Sequence, residues 1–276
     1  MTYRTGATGP IRRIAITALT ATALLAGCGG AGDRSSDATG SSAPTPSPSA
    51  DPKAELLTAV PDGQDPRFRY TEQNGPDKLS GVVDPAAKAQ ELTFSQTSTD
   101  PDFTMALSMR VIADRSWMRV KLTGVDGLHE MMKLPKRWMT LDPAKLEGDS
   151  DPLSYEGSDP GNTGVFLEHA SAVRKKGTGT YTGFLDLTAG AEVAEALDNL
   201  DLTASGAAAK KVPFTAVVGP DGNLASLSMT VPAAGKQKAR KVVVRYFDFG
   251  KAPKLAAPAG DQVQAAPASA YEMLNS

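Results

Sequence analysis

The sequence predicts an α+β domain: an antiparallel sheet with a few helices laid on one face. Three observations point there. Several strand-length runs alternate apolar with small or polar residues, a Gly219-Pro220-Asp221-Gly222 turn joins two of them, and only two stretches show helical three-and-four spacing. In chain order, Asp51-Pro52 caps a short helix through Leu56, Leu57 and Val60, with proline at the first helical position. Residues 103–111 alternate as a half-buried strand. After the Asp114-Arg115 turn, Met118, Val120 and Leu122 alternate with Trp117, Arg119 and Lys121 as its hairpin partner. Residues 165–173 and 189–200 read as helices, the second through Val193, Ala196, Leu197 and Leu200. Residues 212–218 then run into the Asp-Gly turn and return with Ala225, Leu227, Met229 and Val231 on one face. A last strand sets Val242, Val244 and Tyr246 against Val243, Arg245 and Phe247.

Composition narrows the function classes. The 276 residues carry 29 Lys and Arg against 31 Asp and Glu, so there is no basic excess to hold a phosphate backbone, and nucleic acid is not an expected partner. A hydrophobic share of 41% suits a folded chain rather than a disordered one. One cysteine excludes a disulfide framework and a multi-cysteine metal site.

The N-terminus has the layout of an export signal. Arg4, Arg12 and Arg13 precede residues 14–25, which are apolar or small apart from threonine. Twelve residues make roughly 18 Å of helix, short of the ~20 residues that span a bilayer core, so the segment is a signal core rather than a permanent span. Arg12-Arg13 fits a twin-arginine signal or an ordinary Sec signal. The run ends in Leu25-Ala26-Gly27-Cys28, which resembles the bacterial lipobox, and the sole cysteine stands where that motif is acylated. Residues 1–27 are thus expected to be removed, leaving Cys28 as a lipid anchor on the extracytoplasmic face of the cell membrane. Two or more acyl chains hold such a protein durably, whereas one binds marginally. Residues 28–52, rich in Gly, Ser, Thr, Ala and Pro, form a tether of roughly 25–30 Å as a coil. Residues 53–255 are the expected folded domain. Residues 256–276, again rich in Ala and Pro, read as a loose tail in which Tyr271, Met273 and Leu274 are able to dock locally.

The lipobox, the sheet-plus-helix order and two segments resemble actinobacterial cell-wall lipoproteins of the LppX and LprG type, which share a fold with the LolA and LolB carriers. The segments are Tyr181-Thr182-Gly183-Phe184-Leu185-Asp186-Leu187-Thr188 and Val212-Pro213-Phe214-Thr215-Ala216 with its Asp221-Gly222 turn. The resemblance covers about residues 53–255 and implies a strongly curved half β-barrel wrapping a few helices around an apolar cavity. It also implies a lipid or lipoglycan as cargo, and it transfers no catalytic residue. Met105, Leu107, Met109, Val111, Met118, Val120, Leu227 and Met229 would line such a cavity, methionine being well suited to irregular apolar space. A plain sheet core uses the same residues in the same alternation.

Signals for chemistry are sparse. His129 and His169 each adjoin a glutamate, Glu130 and Glu168, without convergent partners in sequence. Neither a Gly-x-Ser-x-Gly elbow nor a phosphate-binding Gly-x-x-x-x-Gly-Lys loop occurs. The acidic stretch Glu147, Asp149, Asp151, Glu156 and Asp159 lacks the spacing of an EF-hand. Trp117, Arg119 and Lys121 share a face that suits lipid headgroups, a partner, or simple coverage of the ring by basic stems. The expectation is a non-enzymatic, cofactor-free lipoprotein that carries acyl chains. Its alternative is an accessory or sensory module with a filled core and an envelope protein partner.

Overall fold

In the computed structural model the described residues are 51–99, 102–147, 154–155, 157–197 and 199–275, all within the unit Pro48–Ser276. The signal core, the lipobox with Cys28 and most of the tether lie outside the described residues.

Two meanders share one sheet. The first runs β1 (Phe68–Asn74), β2 (Asp77–Asp84), β3 (Ala89–Thr99), β4 (Asp102–Ile112), β5 (Arg115–Thr123) and β6 (Trp138–Thr140). The second runs β7 (Ala170–Lys175), β8 (Thr180–Leu185), β9 (Val212–Val218), β10 (Leu224–Val231) and β11 (Arg240–Phe247), and β12 (Val263–Ala265) closes the chain's strands. Pairing of β1 with β11 joins the meanders into twelve strands, ordered β12-β6-β5-β4-β3-β2-β1-β11-β10-β9-β8-β7. Every pair is antiparallel except β12 with β6. The architecture is α+β, with a large and mostly antiparallel sheet. Its helices are short: α1 (Pro52–Leu57), α2 (Leu128–Met131), α3 (Thr163–Glu168), α4 (Ala191–Glu195), α5 (Ala207–Lys210) and α6 (Ala268–Leu274).

Register explains the core. Because side chains alternate across a strand, paired residues point to one face. Met139, Met118, Met109 and Leu92 form one such row across β6 to β3, and Val120, Leu107, Phe94 and Leu79 form another across β5 to β2. The same face continues through Tyr70, Tyr246, Val244, Leu227, Ala216 and Tyr181. On it, α1, α3 and α4 bury Leu56, Phe166, Leu167 and Val193 against the β8–β11 half. Asp51 caps α1 by accepting from the Lys53 amide at 3.0 Å, as its sequence predicts. At the other end, α6 buries Ala270 and Tyr271 against Met118, Val120, Leu122 and Met139.

The C-terminal stretch therefore needs correction: it is not a loose tail. After β11, the Arg67 guanidinium donates to the Ala252 carbonyl (2.6 Å) and Arg110 donates to that of Ala256 (2.7 Å), fixing the strap to the face opposite the helices. The strap then adds β12 to the sheet edge, rounds it, and seats α6 on the helix-bearing face. Tyr271 Oη accepts from the Asp142 amide at 2.9 Å, and Asn275 bonds the backbone at Glu147 and Lys145. The folded domain thus extends past the expected boundary at 255.

Two helix expectations also shorten. Residues 165–173 split into α3 and β7, because the chain leaves the helix at His169 and pairs with β8. Residues 189–200 yield only α4, bounded by Gly190 before it and followed by Asn199 in the left-handed region (φ 54°). In β10 a bulge between Leu224 and Ser226 turns Leu224 and Leu227 inward and leaves Ala225 half-buried.

One polar cluster pins α3 to the sheet. The Tyr246 hydroxyl donates to Asp159 Oδ1, Thr163 Oγ1 donates to the same oxygen at 3.0 Å, and the Gly164 amide donates to Oδ2 at 2.7 Å. Burial, followed by the Asp159 charge, pushes the Tyr246 phenol well above its usual range. A raised folded-state pKa means that this contribution is fully present below the unfolded value of about 10 and is lost as pH rises beyond it, since only the unfolded chain then ionises readily. Tyr246→Phe is expected to cost about 1–3 kcal/mol in urea unfolding at about pH 8. The gap between wild type and variant should narrow at about pH 11, and a constant gap would contradict the assignment.

Candidate functional site

Of the eight apolar residues expected to line a cavity, five are core. Val111, Met118, Val120, Leu227 and Met229 are each 3% exposed or less, the first three on β4 and β5 and the others on β10. Met105, Leu107 and Met109 on β4 differ: they are half-buried, leaning against the α6 cluster from its side. Leu79 and Leu92 lean in the same way against the α1–α3–α4 cluster, and Phe94 lies between, paired with Leu79 on one side and Leu107 on the other.

These six side chains make a contiguous apolar strip on β2, β3 and β4, between the two buried clusters. Three strands spaced 4.7–4.9 Å make it about 10 Å wide, and positions 105 to 109 make it about 13 Å long. Its borders are polar or buried: Gln96 pairs with Met105 at one end, and buried Gln90 pairs with Val111 at the other. Gln90 also donates to the Ser154 carbonyl at 3.2 Å. Gly81 stands opposite Leu92, and an added Cβ there would meet the Tyr70 ring at 2.6 Å, so the ring fills the space that a side chain would take.

The alternation found Met105, Leu107 and Met109 but missed Leu79, Leu92 and Phe94. The sequence signal for them is short, Leu92 and Phe94 two residues apart between Gln90 and Gln96; pairing then sets Leu92 opposite Met109, and Phe94 opposite Leu107 and Leu79.

The strip offers surface and no reactive group. Among the described residues, no three His, Cys, Asp or Glu side chains converge as a metal site, and no helix is long and apolar enough to cross a membrane. His129 is buried and structural: Nε2 accepts from the Leu122 amide (3.3 Å) and Nδ1 faces the Leu134 carbonyl (3.2 Å), which requires the Nδ1–H tautomer. His169 pairs with Glu192 at 3.0 Å rather than with the adjacent Glu168. In the acidic stretch, Asp159 spends both oxygens on Tyr246, Thr163 and Gly164; Asp149, Asp151 and Glu156 lie outside the described residues.

On the opposite face, Trp117 and Trp138 are buried beneath cations. Arg115 lies 4.9 Å from the Trp117 ring centroid, and Arg110 and Arg119 each lie 4.5 Å from that of Trp138. Coverage of rings by basic stems is therefore what this face displays. Arg110 also pairs with Glu91.

Compared with protein-family models and with curated proteins, the chain matches none.

Proposed function

We propose that this protein is a lipid-anchored extracytoplasmic lipoprotein that holds lipid or lipoglycan acyl chains on the β2–β4 strip, non-enzymatically and without a cofactor. In this reading the sheet is curved as a half-barrel of the LppX and LprG kind. The single observation that carries the proposal is the six-residue strip, half-open on a face otherwise covered by helices. Each methylene removed from water there contributes about 0.8 kcal/mol, so a long acyl chain gains enough to bind without any polar contact. The mature protein, purified and opened by organic extraction, should release lipid at near-stoichiometric yield. Native mass spectra showing bare protein across mild detergents would overturn the reading.

The close packing of Val111, Met118, Val120, Leu227 and Met229 favours a second reading, an envelope interaction module with a filled interior. Crosslinking in intact cells would then trap one defined envelope protein. For the anchor, Cys28→Ala should abolish fatty-acid incorporation and the matching mass increment, and persistence of either would remove Cys28 as the acylated residue.

A further inference from the structure

Large exposed apolar side chains are scarce among the described residues: Val125, Met131, Met132 and Phe247. Three of these four fall in the connection between β5 and β6, with Met131 74% exposed. Together with the end of β5, this connection carries a local excess of positive charge. From Lys121 to Arg137 there are four cations, Lys121, Lys133, Lys136 and Arg137, against Asp126 and Glu130, while the whole chain has 29 against 31. All four cations are exposed, and among the described residues only Lys136 of the four forms an ion pair, with Glu130 at 3.5 Å.

This is a built knuckle rather than a slack loop. Leu128 and Leu134 root it in the α6 cluster, and His129 ties Leu122 to Leu134 through its two ring nitrogens. The amides of Met131 and Met132 close onto Gly127 and Leu128. Lys133, in the left-handed region at φ 53°, then ends the turn. Rooted this way, Met131 and Met132 are held outward, and burying them inside this domain would require breaking those bonds.

We propose that this knuckle docks on an anionic lipid surface, with Val125, Met131 and Met132 entering the interface and the four cations meeting lipid phosphates. Apolar tips ringed by basic residues gain from burial and from the surface potential together. The proposal does not need the β2–β4 strip to hold lipid; the knuckle lies between β5 and β6, next to the strip's β4 side. It places that half of an anchored domain against the bilayer.

With Cys28 acylated, an introduced cysteine is the only free thiol, so the full anchored chain can be labelled at one site. An environment-sensitive dye at Met131→Cys should be blue-shifted and shielded from an aqueous quencher in phosphatidylglycerol–phosphatidylcholine vesicles. It should be exposed in phosphatidylcholine alone, and salt should reverse the shielding. A dye at Lys176→Cys, in the β7–β8 turn at the far edge, should stay exposed in both. Each cation near an anionic surface contributes about a fivefold factor, so Lys133→Gln/Lys136→Gln/Arg137→Gln should lower the docked-to-undocked ratio about 100-fold. Exposure at 131 in both vesicles, equal shielding at 131 and 176, shielding indifferent to lipid charge, or shielding without vesicles through self-association would each overturn the proposal. Lipid extraction tests the strip separately, so the two readings fail independently.

Discussion

Ending the chain after Ala259 is expected to unfold the β4–β6 half of the domain rather than trim a dispensable tail. The removed segment supplies β12, the parallel edge of the sheet, and α6, which covers Met118, Val120, Leu122 and Met139. Without it, that row of large side chains faces water, and each loses on the order of 1.5–3 kcal/mol of burial. Tyr271→Ala isolates the main contact. The ring is 8% exposed, lies 5.4 Å from Lys145 Nζ, and carries the hydroxyl that accepts from Asp142. Aromatic-to-alanine changes in cores cost about 3–5 kcal/mol, and this site should fall near the lower figure because one edge meets solvent. Equilibrium urea unfolding followed by fluorescence of Trp117 and Trp138, both in this half, reads the change directly. An unaltered midpoint in Tyr271→Ala would mean that α6 is not seated on the sheet in solution.

What the residues disclosed in advance follows from how each segment spends its two faces. The β4–β5 and β9–β10 hairpins were legible because large apolar side chains alternate with small or charged ones over the whole run, and Asp221-Gly222 marks one of the turns. Strands β1, β2 and β3 were not. Their inward positions include Glu72, Gly81 and Gln90, which a scan for apolar alternation discounts, while Tyr70 supplies the missing volume over Gly81. The strip suffered the same fate, since half of it lies on β2 and β3. The strap was hidden for another reason. Ala- and Pro-rich sequence looks unable to order itself, and here it is ordered by Arg67, Arg110 and the α6 seat, partners up to 185 residues away. Short-range pattern cannot register contacts of that kind.

A charge placed at two neighbouring positions should separate core from strip. Val120 and Leu107 are register partners on β5 and β4, yet Val120 is 1% exposed and Leu107 is half-open. Val120→Arg forces a guanidinium among the apolar side chains of the α6 cluster, and is expected to cost on the order of 4–5 kcal/mol. Leu107→Arg has a way out, because the long stem can lie along Phe94 and Met105 while the charge reaches water. Its cost should stay near 1–2 kcal/mol. The two variants must therefore differ in unfolding midpoint by an amount that urea titration resolves easily. Lipid content then decides function: Leu107→Arg should fold and come away without extractable lipid, since a cation in the strip opposes an alkyl chain. If it unfolds as Val120→Arg does, the strip is closed core and the carrier reading falls. If it folds and keeps a full lipid complement, the acyl chains lie elsewhere on the molecule.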